Sequence, residues 1–372
     1  MGNIIDFINW RGDITFDERP FTEVDNLILC EMAYAHIEEV MAQDASISVA
    51  EAGRRYFEKT DHPDYTLGID TLRAACAAPR YQRLIIRNLE TYLDEKTQFG
   101  AMCIDIAPGI TCIIFRGTDE SISGWREDFA ISFRVTIAQE LAAEYLNKHI
   151  TDDGRKYMVM GHSKGGNLAV YAAMVLPKEK QDAIIQIYSN DGPGIPKEQK
   201  DEEAYGRIRD KIVRYVPTYC VVGKLFELDV PATVVKSTGD DINQHNATTW
   251  QVTRSGFVEA DEITHECQLT NNIFHDWIES VDMAERKAFT IEFFHALELG
   301  GKETMIQFHK DGIRGLFGVA LSTVKFTGPA KKAIAKLVKS ATKNTIAMGT
   351  ARISSLFDDD DDADDIPKIT VD

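Results

Sequence analysis

The spacing of hydrophobic positions changes along the chain. Over Thr22–Met41, Val24, Leu27, Ile28, Met32, Ala35 and Ile37 recur at helical intervals with acids between them, which predicts an amphipathic helix. Helical spacing continues through Leu67–Ala77 and Tyr81–Leu93. From residue 99 short apolar runs take over. Ala101–Ile106 and Thr111–Phe115 predict strands joined by a turn at Pro108 and Gly109. Ile137–His149 reads as a helix, Lys156–Met160 as a strand, Gly161–Gly166 as a turn, and Asn167–Val175 as an Ala-rich helix closed by Pro177. Ala183–Tyr188, Lys211–Val216 and Thr233–Ser237 predict further strands. Strands alternating with helices over residues 100–250 indicate an α/β fold with a mostly parallel sheet. Beyond residue 270 helices dominate, notably Met283–Leu299 and Pro329–Ile346, which predicts a C-terminal helical extension.

Composition narrows the class. The 372 residues are 44% apolar and 27% charged, which excludes a collagen-like repeat, global disorder and a disulfide scaffold. Six cysteines are scattered without a CxxC pair or metal-ligand spacing, so they read as buried thiols of a reducing compartment, and no metal or organic cofactor is expected. The first dozen residues carry charges unlike a secretory signal. No apolar run approaches the roughly 20 residues needed to cross a bilayer. The expectation is a cytoplasmic chain, with leaderless export left open.

The net charge of −18 argues against nucleic acid as a partner of the whole molecule. Its distribution is uneven: Ala284–Arg352 carries 12 bases against 5 acids, whereas residues 358–372 carry eight Asp against Lys368 alone. These shifts divide the chain into a main domain over 1–265, a basic helical subdomain over 266–355 and a disordered acidic tail over 356–372. Within 329–346, Ile334, Leu337, Val338, Ala341, Thr345 and Ile346 form a stripe, with Lys331, Lys332, Lys336, Lys339 and Lys343 largely elsewhere. Two readings are open: peripheral contact with an anionic membrane, shielded by the tail, or a packed helical layer with lysines in water. The glycine-spaced segment Gly312–Leu321 suits a lid or interfacial element.

Chemistry concentrates at Gly161-His162-Ser163-Lys164-Gly165, which fits G-x-S-x-G. A serine on a sharp strand-to-helix turn needs small neighbours, and the helix start supplies N–H groups where an oxyanion would develop. The expected strand and helix flank it. The Lys164 N–H is one oxyanion donor, and Thr118 in Phe115-Arg116-Gly117-Thr118, at a strand end, is the candidate for the second. The bland alternative makes Thr118 a cap.

These segments resemble a family. FRGTD, then Trp125 and Asp128 in SGWREDF, then GHSKGG follow the order of class 3 (fungal-type) lipases and their bacterial lipase-like relatives. The opening IIDFINWRGDITFDERPFTEVDNLILCEMAY, SNDGPG and QHNATTWQV are similar to one bacterial subfamily of unknown function. The resemblance covers residues 3–252. It implies an α/β-hydrolase fold, a nucleophilic Ser163, an oxyanion role for Thr118, and the chain order Ser, acid, His. Of the later histidines, His245, His265, His275, His295 and His309, the family motif places one at His245, in a polar loop after the strand Thr233–Ser237. Asp191, after the strand Ala183–Tyr188, is the first choice of acid. The class 3 pattern puts its acid one strand later, where a rough alignment finds Cys220, which cannot serve; Asp229, Asp240 and Asp241 stay as alternatives. Lys164 stands where an apolar residue is common, and either favours an anionic substrate or points to solvent, the preferred reading. His162 reads as structural or substrate-lining.

The expectation is a serine hydrolase cleaving carboxylic esters, lipid-like acyl esters foremost, with a small-molecule or lipid ester as partner. A catalytically silent hydrolase fold used as a binding module, or a thioesterase or amidase, are the alternatives.

Overall fold

The computed structural model describes residues 1–41, 44–59, 68–94, 97–118, 126–127, 129–226, 228–301, 319–320 and 326–358, with 347–358 as backbone only. Helix α1 (Ile4–Arg11) opens with a capping box between Asn3 and Asp6, and α2 (Glu23–Met32) with one between Thr22 and Asp25. The single helix expected over Thr22–Met41 is broken. After Met32 the chain tightens to a 3-10 turn, His36 takes φ 50°, and α3 (Glu38–Met41) starts anew. A residue in the left-handed region cannot continue an α-helix, and histidine is among the types that tolerate it. Next come β1 (Ser46–Ser48), α4 (Val49–Glu58), α5 (Ile69–Ala77) and α6 (Pro79–Gln82).

The helix expected over Tyr81–Leu93 is instead mostly a strand, β2 (Ile85–Leu93). Its register against β3 (Gln98–Ala107) shifts between Arg87 and Glu90, with Asn88 at φ 54°. That bulge inserts an extra residue, so apolar positions on either side of it mimic helical spacing.

Among the described residues eight strands form one sheet, whose spatial order equals their chain order. Strands β1 to β4 (Ile110–Phe115) pair antiparallel. From β4 onward, β5 (Lys156–His162), β6 (Ile184–Asn190), β7 (Ile212–Pro217) and β8 (Ala232–Val235) pair in parallel. Parallel crossovers between consecutive neighbours, running in one direction across the sheet, bring their helices to one face. Accordingly α7 (Ile137–His149), α8 (Lys164–Val175) and α9 (Glu202–Ile208) share a core with Ile113, Phe115, Tyr157, Val159 and Ile187. The alternate residues Cys112, Ile114 and Met160 belong to the opposite core, covered by α1, α2, α4, α5, Trp250 and Val252. The N-terminal helices therefore cover a face that the crossovers leave bare.

Helix α2 is tied down by charge as well as burial. Asp25 accepts two bonds from Arg80, each 2.7 Å, and one of 2.6 Å from Tyr81. Arg80 also donates to the carbonyls of Ile14, Thr15, Arg19 and Pro20, so the loop before α2 wraps its guanidinium.

After β7 lie α10 (Val221–Lys224) and the 3-10 turn Asp241–His245. Then α11 (His265–Ser280), α12 (Met283–Gly300) and α13 (Gly328–Asp358) build a third core around Phe274, Trp277, Phe289, Phe293 and Phe294, which Val221 joins. Trp277 donates its indole N–H to the Ala333 carbonyl at 2.9 Å. Of the expected stripe on α13, Ile334 and Leu337 pack on this core, while Val338, Thr345 and Ile346 are exposed. Lys336 binds Glu285, and Lys343 binds Asp276. Residues 312–318 and 321 of the glycine-spaced segment, and tail residues 359–372, lie outside the described residues. Among those described, no helix is long and apolar enough to cross a membrane.

Candidate active site

Strand β5 ends at His162 and α8 begins at Lys164, leaving Ser163 alone at the junction with φ 57° and ψ −133°. That conformation is costly for a non-glycine residue and persists only where the surroundings enforce it. Here they do. A Cβ on Gly161 would stand 2.1 Å from the Gly165 carbonyl carbon, and one on Gly165 2.1 Å from the Phe115 carbonyl oxygen. The Ser163 N–H donates to the Asn190 carbonyl at 2.9 Å, and Gly166 N–H returns to the Ser163 carbonyl at 2.9 Å. The Asn190 side chain donates to the Gly161 carbonyl at 3.1 Å and exchanges bonds with Asn26 of α2.

Asp191 follows β6 at φ 45° and is fully buried. Its N–H donates to the Tyr215 carbonyl at 2.7 Å, and its Oδ1 accepts the Gly223 N–H of α10 at 3.1 Å. The turn behind it is pinned by Asn167 of α8, which donates to the Gly194 carbonyl at 2.7 Å. Its other oxygen, Oδ2, lies 2.6 Å from His245 Nδ1, and His245 Nε2 lies 2.8 Å from Ser163 Oγ. The structure thus joins Ser163, His245 and Asp191 in one hydrogen-bonded line. The His245 loop is anchored by Trp250, whose indole N–H donates to the Gln244 carbonyl at 2.9 Å.

Behind the line sits His162. Its Nε2 lies 2.8 Å from the His245 carbonyl oxygen, so this nitrogen carries the proton, and the Tyr34 hydroxyl donates to Nδ1 at 3.1 Å. The two imidazoles lie 4.8 Å apart, centroid to centroid. Burial, and secondarily the charge of His245, push His162 down to about 3, so it stays neutral. Glu31 of α2, 4.0 Å from His162 Nδ1, is pushed up to about 7 by burial, against a smaller opposing effect of His245.

The chain after β4 lies against the turn. Gly165 abuts the Phe115 carbonyl, and a Cβ on Gly117 would stand 2.5 Å from the His162 carbonyl. Thr118 follows and is buried. The Lys164 N–H belongs to the first turn of α8, where N–H groups have no acceptor within the helix.

Contrary to the preferred expectation from sequence, the Lys164 side chain does not face solvent. It is fully buried, with Nζ 2.8 Å from Glu127 Oε2 and 2.8 Å from the Gln98 carbonyl. A cation at this depth needs a paired acid. Its ammonium is thus consumed within the fold and not offered to an anionic substrate. Glu127 sits in SGWREDF, but nothing in the spacing joined it to Lys164. Trp125, Asp128 and His309 lie outside the described residues. His265 and His275 lie on α11 and His295 on α12, not on the loop that reaches Ser163. Asp229 pairs with Arg209 at 3.2 Å, and Asp240 and Asp241 stand at the start of the turn that ends in His245. Cys220 caps α10 beside Cys267. Asn26, Glu31, Tyr34, Glu127, Asn167 and Asn190 also support the turn and its neighbours, and the sequence does not mark them for that role. Asn26, Glu31 and Tyr34 stand out only as polar groups within the apolar α2 region, whereas Glu127 and Asn190 lie in polar segments with nothing to single them out. Among the described residues no cluster of three His, Cys, Asp or Glu could hold a metal.

The model of the Mbeg1-like family matches residues 75–295, more than half of the chain. The chain belongs to the Mbeg1-like family. The Mbeg1-like span holds Thr118, Ser163, Asp191 and His245, and the mostly parallel sheet with its strand-to-helix turn at Ser163 has the architecture of an α/β-hydrolase fold. Among solved structures this Mbeg1-like chain is similar to the M37 lipase, at 18% identity over 55% of this chain and 70% of that one, with a TM-score of 0.35. It is also similar to the lipase from Rhizopus microsporus var. chinensis, at 15% identity over 71% of this chain and 82% of that one, with a TM-score of 0.36. No curated protein matches the chain.

Proposed function

We propose that the protein is a serine hydrolase of carboxylic esters, lipid-like acyl esters foremost, working through an acyl-enzyme on Ser163. The observation that carries the reading is the unbroken contact from Asp191 Oδ2 through His245 to Ser163 Oγ, at 2.6 and 2.8 Å. Serine is a poor nucleophile until a base within hydrogen-bond reach takes its proton. His245 Nε2 accepts that proton as Oγ attacks the acyl carbon, and Asp191 stabilises the imidazolium and fixes its Nδ1–H. The Lys164 N–H and Thr118 bind the oxyanion of the tetrahedral intermediate, aided by the positive end of α8. His245 then protonates the leaving alcohol, and water, activated by the same imidazole, releases the acid.

Labelling by a fluorophosphonate probe tests the reading. Wild type and the surface variant Ser255→Ala are expected to label, and Ser163→Ala to stay unlabelled. A wild type that never labels while folded would favour a binding module. Rates on short nitrophenyl esters, acyl thioesters and phospholipids then rank the bond, with esters expected first.

Contact with an anionic membrane through 329–346 belongs to the same proposal. It rests on exposed Lys331, Lys332 and Lys339 beside exposed Val338 and Ile346. Co-sedimentation with phosphatidylglycerol vesicles at low salt is expected, and its persistence after all three lysines become Glu would refute it.

A further inference from the structure

Cys220 and Cys267 are fully buried, with Sγ atoms 3.9 Å apart. Cys220 stands at the N-cap of α10 and Cys267 in the first turn of α11, which Thr264 caps. Cys267 Sγ accepts the Cys220 N–H at 3.1 Å and the Asn271 side-chain amide at 3.3 Å. N–H donors around a sulfur at a helix start are the setting that favours a thiolate. The hydrogen bond from the Cys220 thiol holds Cys267 below the ordinary thiol range, against the effect of burial.

The pair also touches the machinery. Three residues beyond Cys220, Gly223 N–H holds Asp191 Oδ1. On the other side, the Thr264 N–H donates to the Thr218 carbonyl at 2.8 Å, fastening the start of α11 to the end of β7. Movement of Cys220 against Cys267 is therefore movement of the donor that orients the acid.

We propose that Cys220 and Cys267 are an oxidative modification site, closing to a disulfide that loosens the hold of Gly223 on Asp191 and slows hydrolysis. The sulfurs must approach from 3.9 Å to about 2.05 Å. Closure draws the start of α10 toward α11 and takes from the Cys220 N–H its acceptor. With a small peroxide as oxidant, the Cys267 thiolate attacks a peroxide oxygen; the S–O bond forms as O–O breaks, and hydroxide leaves. The Cys220 sulfur then attacks the Cys267 sulfenic sulfur. The S–S bond forms as S–O breaks, and the Cys220 proton departs with that hydroxyl as water. Two electrons pass from the thiol pair to one peroxide. The segment 261–266 leading into α11 is largely exposed, so local opening gives the oxidant a route.

The test treats the full chain with hydrogen peroxide, blocks free thiols, digests it and maps cross-links by mass spectrometry. One cross-link between the Cys220 and Cys267 peptides is expected, reversed by dithiothreitol and missing from Cys220→Ser and Cys267→Ser. Ester hydrolysis falls about tenfold on oxidation, the effect of weakening one hydrogen bond to a carboxylate, and returns on reduction. Cys267→Ser keeps its rate in peroxide. Full alkylation of both thiols after peroxide in a folded chain overturns the proposal, and so does a cross-link that leaves the rate unchanged. The rate arm rests on the proposed hydrolase reading, whereas the cross-link is read by mass. A reduced wild type without esterase activity therefore counts against the function and not against the thiol pair.

Discussion

Ser163 has one neighbour inside the motif that points away from chemistry and one that supports it. Lys164 sends its ammonium to Glu127, both buried. Lys164→Met leaves that carboxylate without its counter-charge, and urea unfolding is expected to show a loss of about 3–5 kcal/mol. Lys164→Met with Glu127→Leu regains most of it. Asp191→Asn alters what holds the His245 tautomer, and a fall in kcat of about ten-thousand-fold is expected in an ester assay. His162 and Glu31 give stability opposite slopes with pH. Glu31 moves from 4.5 up to about 7, so the stability held by its neutral form is complete below pH 4.5 and lost as pH rises to 7. His162 moves from 6.5 down to about 3, so its contribution is complete above pH 6.5 and lost as pH falls toward 3. Thermal unfolding of Glu31→Gln is expected to gain on wild type at pH 8 and to match it at pH 4. Ser163, His245 and Asp191 were legible as candidates because each sits in a loop after a recognisable strand. Glu31, Tyr34 and Glu127 were not, since their roles come from segments that only the sheet brings beside the turn.

At the scale of elements, the strand-to-helix turn works because three backbone segments meet within contact distance. Gly165→Ala pushes a methyl into the Phe115 carbonyl. Overpacking costs about 1–3 kcal/mol where side chains can yield, and backbone yields less, so the upper end of that range is expected in a denaturant titration. Most strands from Ala101 onward were legible from short apolar runs bounded by turn residues. Strand β2 was not: its bulge at Asn88 disguises the period of two. The break at His36 is invisible in the sequence for a related reason, since one residue at positive φ leaves no mark in the hydrophobic pattern. Helix α2 shows what a capped helix gains from its neighbours. Asp25→Ala removes one partner of the Arg80 pair, and circular dichroism is expected to show a lower melting temperature.

Across the whole molecule, the C-terminal helices hold Arg126, Phe129 and Ser132. Arg126 pairs with Glu298 at 2.7 Å, Phe129 packs on Phe294 with centroids 5.2 Å apart, and Arg286 donates to the Ser132 carbonyl at 3.1 Å. The helical extension was legible from its periodicity, but this clasp was not, because its partners are separated by more than a hundred residues. The sheet has the opposite character. Each strand from β2 to β8 lies beside its predecessor in the chain, so the sheet can grow strand by strand as synthesis delivers it. The N-terminal helices break that order: Asn26 waits for Asn190, and Gly2 bonds Val252 through both backbone groups. A nascent chain stalled at residue 150 should therefore leave α2 open to protease and to chaperones that bind apolar surface, and one stalled well past residue 252 should protect it.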